Sequence, residues 1–256
     1  MRLAVVVPTL NEAAHVEALV RRLSSDLTGA SEGAPPATAK DQGAPAGDLA
    51  DRVVVADGGS TDATLEKLAA LQMEFAGLTV IHGPAGRGIQ QRDGAAELLA
   101  ELDDEDVLLF VHADNLPEPG ALAALRKAAH QGGHAFAMRQ HVDAEGDFYR
   151  AVERYAERRA ARGRVYGDSC LAVRVGAYRA VGGFRPLALF EDLDLARRLA
   201  AQGPITLVDG AFVRVCARRW QKEGKTVTVV RNWLLTRGFE LRLPPRLLAA
   251  FYPRHS

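Results

Sequence analysis

The chain has 256 residues, 48% hydrophobic and 25% charged, with a formal net charge of zero. Such a composition excludes a disordered or collagen-like chain, and zero net charge gives no bulk attraction to nucleic acid. No stretch approaches the ~18–20 uninterrupted apolar residues of a membrane span.

Charge is nevertheless uneven. Residues 218–256 hold nine Lys/Arg against Glu223 and Glu240, a net +7, which leaves −7 for residues 1–217. A basic tail beside an acidic body suits an anionic ligand or a membrane surface, and equally a solvated helix face. Cys170 and Cys216 stand 46 residues apart among apolar neighbours, as reduced, buried thiols do. The opening MRLAVVVPTL has five apolar residues before Pro8, too few for a secretory core, so a cytoplasmic chain is expected.

In chain order, Leu3–Val7 reads as a strand buried on both faces. Asn11 is placed as a helix cap, with Val16, Leu19, Val20, Leu23 and Leu27 following at helical spacing. Residues 28–50 break the rhythm. Of these 23 residues, 14 are Gly, Pro or Ala, so the segment reads as a mobile surface insertion. Arg52–Ala56 is a second strand, followed by an Asp57-Gly58-Gly59 turn and a helix capped by Ser60 or Thr61. Leu78–His82 is a third strand, GPAGRG a Gly-rich loop running into a helix, and Val107–Val111 a fourth strand. Ala121–His130 is a helix, with Pro119 near its first turn. Alternating strands and helices predict a parallel sheet covered on both faces. Beyond Gly133 the pattern loosens into strands at His134–Gln140, Cys170–Val175, Ile205–Val208 and Phe212–Ala217, with helices at Phe148–Arg162 and Glu191–Gln202.

Ligands of open parallel sheets bind beyond the carboxyl ends of the strands. Four predicted ends are polar: Pro8-Thr9-Leu10-Asn11-Glu12, Asp57-Gly58-Gly59, Gly86-Arg87-Gly88 and His112-Ala113-Asp114. One βα unit separates each from the next, so they converge on one rim. No zinc spacing, P-loop lysine or Ser-His-Asp order is present.

VVVPTLNE, VVADGGSTDAT and FVHADN, in this order and spacing, resemble a family 2 glycosyltransferase with the GT-A fold. GRGIQ, HAD, YGD and ARRW resemble a bacterial subgroup with HAD in place of the usual Asp-x-Asp. The resemblance runs from Leu3 to about Tyr252 apart from the insertion. It implies a mostly parallel mixed sheet flanked by helices, with a catalytic domain at 1–217 and a basic helical extension at 218–256. It also implies transfer of a sugar from a nucleoside diphosphate donor, UDP by expectation, to an acceptor hydroxyl with inversion. A nucleotide-sugar-binding module without turnover is the alternative, motivated by His112 and Gly58, which stand where the family usually has Asp.

On that resemblance Asp114 holds a divalent cation, Mg²⁺ or Mn²⁺, an ion that often takes only one or two carboxylates beside phosphates and waters. Pro8, Thr9, Glu12, Asp57, Arg87, Gln90, His112 and Ala113 line the nucleotide. His112 touches ribose or phosphate, binds the ion, or makes a structural hydrogen bond. The alternative for Asp57 is an Asx turn, which Asp-Gly-Gly favours. Asp192, in FEDLD, matches the base position. Asp168, Glu191, Arg218, Arg219 and Trp220 fall to the acceptor or phosphate side, with Trp220 stacking over the pyrophosphate. The interleaved Trp, Leu, Phe and Arg of residues 233–252 suit an apolar, lipid-like acceptor or attachment at the inner membrane face.

Overall fold

The computed structural model describes residues 1–24 and 49–252. The insertion expected at 28–50 falls, but for its last two residues, outside the described residues. The elements are β1 (Leu3–Thr9), α1 (Val16–Ser24), β2 (Arg52–Asp57), α2 (Thr64–Glu74), β3 (Leu78–His82), α3 (Arg87–Leu99), β4 (Val107–Phe110), β5 (Asn115–Pro117) and α4 (Ala121–His130). There follow β6 (Ala135–Val142), α5 (Asp147–Ala160), a 3₁₀ turn (Gly167–Ser169), β7 (Ala172–Arg174), α6 (Val175–Ala180), α7 (Glu191–Ala200), β8 (Ile205–Val215), α8 (Arg218–Glu223), α9 (Lys225–Glu240) and α10 (Pro245–Ala249).

The eight strands form one mixed sheet in the order β3-β2-β1-β4-β7-β6-β8-β5. The first four are mutually parallel, β7 is antiparallel to β4, and β6 and β8 run parallel to each other. Side chains of β1 alternate between the two faces. Leu3, Val5 and Val7 pack with α1, α2 and α4, while Ala4 and Val6 pack with α3 and α7. All five are fully buried. Each valine so placed contributes about 1.5–3 kcal/mol relative to exposure, which favours an interior place for β1 in the sheet.

Four local expectations are corrected. Asn11 caps no helix: its backbone is left-handed (φ 56°), and α1 begins at Val16. Ser60 and Thr61 likewise precede α2, which starts at Thr64. The two strands expected at 205–208 and 212–217 are one strand, β8, continued through Gly210 at φ 79°. The strand expected from Cys170 shrinks to β7, because Cys170 itself turns left-handed (φ 46°) and Val175 already opens α6.

The C-terminal helices fold back toward the carboxyl ends of the parallel strands. Leu235 of α9 and Leu248 of α10 are buried with Leu189, and Phe190 and Phe239 pack around them. Tyr166 Oη and Thr236 Oγ1 share a 3.1 Å hydrogen bond. This packing sets the tail beside the loop that leads into α7.

Candidate active site

The rim is laced together by polar side chains. Asp57 is fully buried at the tip of β2. Its Oδ1 accepts from the Gly59 and Ser60 amides at 2.9 Å, and its Oδ2 from Ser60 Oγ (2.5 Å) and Thr9 Oγ1 (3.1 Å). The bonds from Gly59 and Ser60 complete an Asx-turn arrangement at this strand tip. Asn11 Oδ1 accepts the Thr61 amide (2.8 Å) and Ser60 Oγ the Asn11 amide (2.9 Å), joining the ends of β1 and β2. Gln90 is buried too. Its Nε2 donates to the Thr9 and Ala56 carbonyls (2.7 and 2.8 Å) and its Oε1 accepts the Gly86 amide (3.2 Å). Gln90 thus clamps the Gly-rich loop to two strand ends.

Beneath the rim lies a set of charges from four elements. Arg87, at the start of α3, sets Nε 3.1 Å from Glu191 Oε1. Asp192, next in α7, accepts from Gln91 Nε2 (3.3 Å) and the Gly167 amide (3.1 Å). His112 Nε2 lies 3.7 Å from Asp192 Oδ2, too long for a hydrogen bond. Asn115 donates to the Gly167 carbonyl (3.2 Å), tying this corner to the segment after β4. Asp168 Oδ1 is 3.5 Å from Arg159 Nη2.

Two glycines permit this approach. A Cβ on Gly88 would sit 2.6 Å from the Arg185 carbonyl and 3.1 Å from Glu191 Cβ. One on Gly167 would sit 2.3 Å from His112 Nε2 and 2.6 Å from Asp192 Oδ2. Separations under 3.0 Å are essentially never met by a real Cβ, so a side chain at either position would force α3, α7 or the 3₁₀ turn to shift.

Burial sets the protonation. It raises the affinity of Asp192 for a proton, against the pull of Arg87 and the Gln91 and Gly167 hydrogen bonds. Glu191 is raised for the same reason, again opposed by Arg87. Burial, and then the charge of Arg87, lower His112 to about 4, so its ring is neutral at pH 7. Burial works against the charge on Arg87, but Glu191 and Asp192 hold that guanidinium protonated well above its ordinary value.

Asp114 is half-buried, and among the described residues its carboxylate accepts no hydrogen bond and enters no ion pair. Burial and then the charge of Asp114 push Glu12 up to about 7, while Arg218 pulls it down. Two repelling carboxylates, one with unused oxygens, suit a hard divalent cation. Among the described residues no three His, Cys, Asp or Glu side chains form a complete cage. The donor set therefore fits an ion completed by phosphate oxygens and water.

The raised Glu12 makes a testable difference. Between its ordinary value near 4.5 and about 7, the folded chain keeps a proton here that the unfolded chain releases. Stability from this group is full below 4.5 and lost as pH rises through 7. His112 acts oppositely between 6.5 and about 4. The stability of Glu12→Gln relative to wild type should therefore increase from pH 4.5 to 7 in urea melts. A constant difference would show that Glu12 titrates normally.

The rim thus gathers Glu12, Arg87, His112, Asp114, Asp168, Glu191 and Asp192. Pro8, Thr9 and Ala113 are buried beneath it, and exposed Arg218 bears on it through its field at Glu12. Trp220 is half-buried. Its ring packs edge-on against Phe148 and Tyr149, with centroids 6.5 and 6.2 Å away, in a small cluster with Val142 and Ala217. Arg219 donates instead to the Tyr252 hydroxyl in the tail and lies over that ring. Sequence reading missed Gln91, Asn115 and Gly167. Gln91 had a signal, since it stands one helical turn after Arg87 and shares its face toward α7.

The mixed α/β sheet and its helices define a GT-A glycosyltransferase fold. It matches S. aureus TarS 1–349 at TM-score 0.59 and 16% identity, over 84% of this chain and 60% of that one. Residues 4–181 match the family described as "Glycosyl transferase family 2", and the chain belongs to that family. It is also similar to the mannosyltransferase PcManGT from Pyrobaculum calidifontis in complex with GDP-Man and Mn²⁺ (TM-score 0.56, 24% identity, 83% of this chain and 56% of that one). Among curated proteins, the succinoglycan biosynthesis protein ExoA of Rhizobium meliloti (strain 1021) is 27% identical over 219 residues, 78% of this chain and 58% of that protein. The chain thus spans less than two-thirds of the length of each.

Proposed function

We propose that the chain transfers a sugar from a UDP-sugar to an acceptor hydroxyl with inversion. The observation that carries this reading is the buried Asp192, held by Gln91 and Gly167 beside neutral His112 and charged Arg87, at the carboxyl end of the parallel strands. The acceptor oxygen attacks the anomeric carbon as its proton passes to Asp192. The bond from that carbon to the diphosphate breaks, and the electron pair leaves with the diphosphate. Burial favours proton uptake by Asp192, as a base requires. Arg87 offers positive charge to the leaving group and, through Glu191, positions α7.

Asp114, with Glu12 alongside, would hold a Mg²⁺ or Mn²⁺ ion, which when bound supplies neutralising charge to the diphosphate. Asp57, Gln90 and Thr9 act by fixing the loops around the nucleotide. The UDP assignment draws support from TarS, which has been solved in complex with UDP and with UDP-GlcNAc. The test is release of nucleoside diphosphate from a panel of UDP- and GDP-sugars with Mn²⁺, with and without alcohol acceptors. Turnover of a UDP-sugar is expected. Tight UDP binding with no turnover across the panel would favour a binding module.

The same reading places the tail at an anionic membrane surface on the cytoplasmic side. Val227, Val229, Val230, Trp233, Leu234, Leu241, Leu243, Leu247 and Phe251 are all exposed, most of the large exposed apolar side chains among the described residues. Exposed Lys222, Lys225, Arg237, Arg242 and Arg246 stand among them. No described helix is long and apolar enough to cross a membrane. Apolar area edged by cations favours an interfacial position on anionic lipid. The protein is expected to pellet with phosphatidylglycerol vesicles at low salt and to be released at high salt. Failure to pellet would exclude this contact.

A further inference from the structure

A cleft of about 200 Å³ opens beside the corner that holds the candidate base, lined by Tyr155, Arg158, Arg159, Arg162 and Arg164. It is formed by the last turns of α5 and the segment that leads to the 3₁₀ turn. Four guanidinium groups border one small space with no carboxylate in its lining.

Its electrostatics are unbalanced. Arg158 and Arg162 are exposed, and among the described residues neither forms an ion pair. Arg164 pairs with Glu240 (2.9 Å), but Glu240 also meets Arg197 (3.4 Å) and Arg237 (2.8 Å), so one carboxylate serves three cations. Arg159 is half-buried and partnered. Its guanidinium carbon lies 3.8 Å from the centre of the Tyr166 ring, and Nη2 lies 3.5 Å from Asp168 Oδ1. Its Nε is buried without a hydrogen-bond partner. A cluster of four planar forks, two of them without an ion-pair partner among the described residues, suits a multiply charged oxyanion.

The position matters as much as the charge. Asp168 is the chain neighbour of Gly167, whose amide donates to Asp192 at 3.1 Å. Arg159 thus joins the cleft to the corner that holds the base.

We propose that this cleft is an anion subsite that seats a phosphate group of the acceptor, so that the acceptor's hydroxyl extends toward Asp192. This rests on the glycosyl-transfer reading and narrows its acceptor to a phosphorylated one, either a small soluble molecule or a lipid headgroup.

Wild type, Arg158→Glu/Arg162→Glu and Arg158→Lys/Arg162→Lys are titrated by calorimetry with glycerol 3-phosphate, with glycerol as the uncharged control. Each is also sedimented with phosphatidic acid vesicles and with phosphatidylcholine vesicles. The Glu pair is expected to bind phosphate about tenfold or more weakly, as loss of charge-assisted hydrogen bonds implies, and the Lys pair to fall between it and wild type, because lysine keeps the charge and loses the planar fork. Dependence on these arginines for glycerol 3-phosphate identifies a soluble source, and dependence only for phosphatidic acid vesicles a lipid one. Equal binding by all three proteins in both arms, or none by wild type, overturns the subsite. UDP binding with Mn²⁺, measured on wild type, is read separately: its failure counts against the transferase reading and leaves the phosphate result standing.

Discussion

Asp192→Asn is expected to bind donor as wild type does and to transfer sugar roughly 10²–10⁴-fold more slowly, the usual contribution of a positioned base. The substitution is close to isosteric, and the surroundings can adjust to it. Asn Oδ1 still accepts the Gly167 amide. Its new N–H₂ group would oppose Gln91 Nε2, but Gln91 carries an Oε1 with no partner, so a flip of its amide turns the clash into a hydrogen bond. The melting temperature should therefore stay near that of wild type. Transfer by wild type should also fall on acidification, as Asp192 takes up a proton and ceases to be a base. The measurement is single-turnover transfer at saturating donor, alongside UDP affinity. Transfer by Asp192→Asn at a rate close to that of wild type would remove Asp192 from the chemistry.

Asp114→Ala is expected to fold normally and to lose on the order of 10²–10³-fold in transfer, equivalent to several kcal/mol of charge stabilisation at the leaving group. Folding should survive because no hydrogen bond or ion pair of the described residues depends on this carboxylate. The loss should be in activity because Asp114 is the half-buried acid at the end of β4 with oxygens still uncommitted. Its removal should also lower the pKa of Glu12, since its charge is the second cause of that elevation. Excess Mn²⁺ should rescue the variant partly, if Glu12 and the phosphates retain some affinity for the ion. Full activity in Asp114→Ala would move the cation, or its role, elsewhere.

The parallel half of the fold was legible because its code is local. A valine-rich run such as residues 5–7 can only be a strand covered on both faces, and β3 and α4 fall at their expected limits. The antiparallel half was less so. β5 is three residues long, and β8 crosses a glycine that reads as a break. At the site, residue types were readable and their partners were not. Asp57 and Gln90 were expected to face the nucleotide, yet they spend their polar atoms on neighbouring loops. The Asx turn to Ser60 is local, but nothing local shows that Thr9, 48 residues from Asp57 and 81 from Gln90, will meet both. Trp220 stands in an Arg-Arg-Trp cluster, and its edge contacts with Phe148 and Tyr149, far earlier in the chain, could not be read from that cluster. Gly167 stands in the YGD motif, and its close approach to His112 and Asp192, which explains the lack of a side chain there, shows only in three dimensions.

The central claim is that the Asp114 carboxylate brings a divalent cation to the nucleotide diphosphate. Calorimetric titration of UDP into wild type and Asp114→Ala, each with Mn²⁺ and with chelator, tests it most directly. The account predicts that Mn²⁺ tightens UDP binding in wild type and leaves it nearly unchanged in the variant. Equal strengthening of both proteins by Mn²⁺ would contradict it.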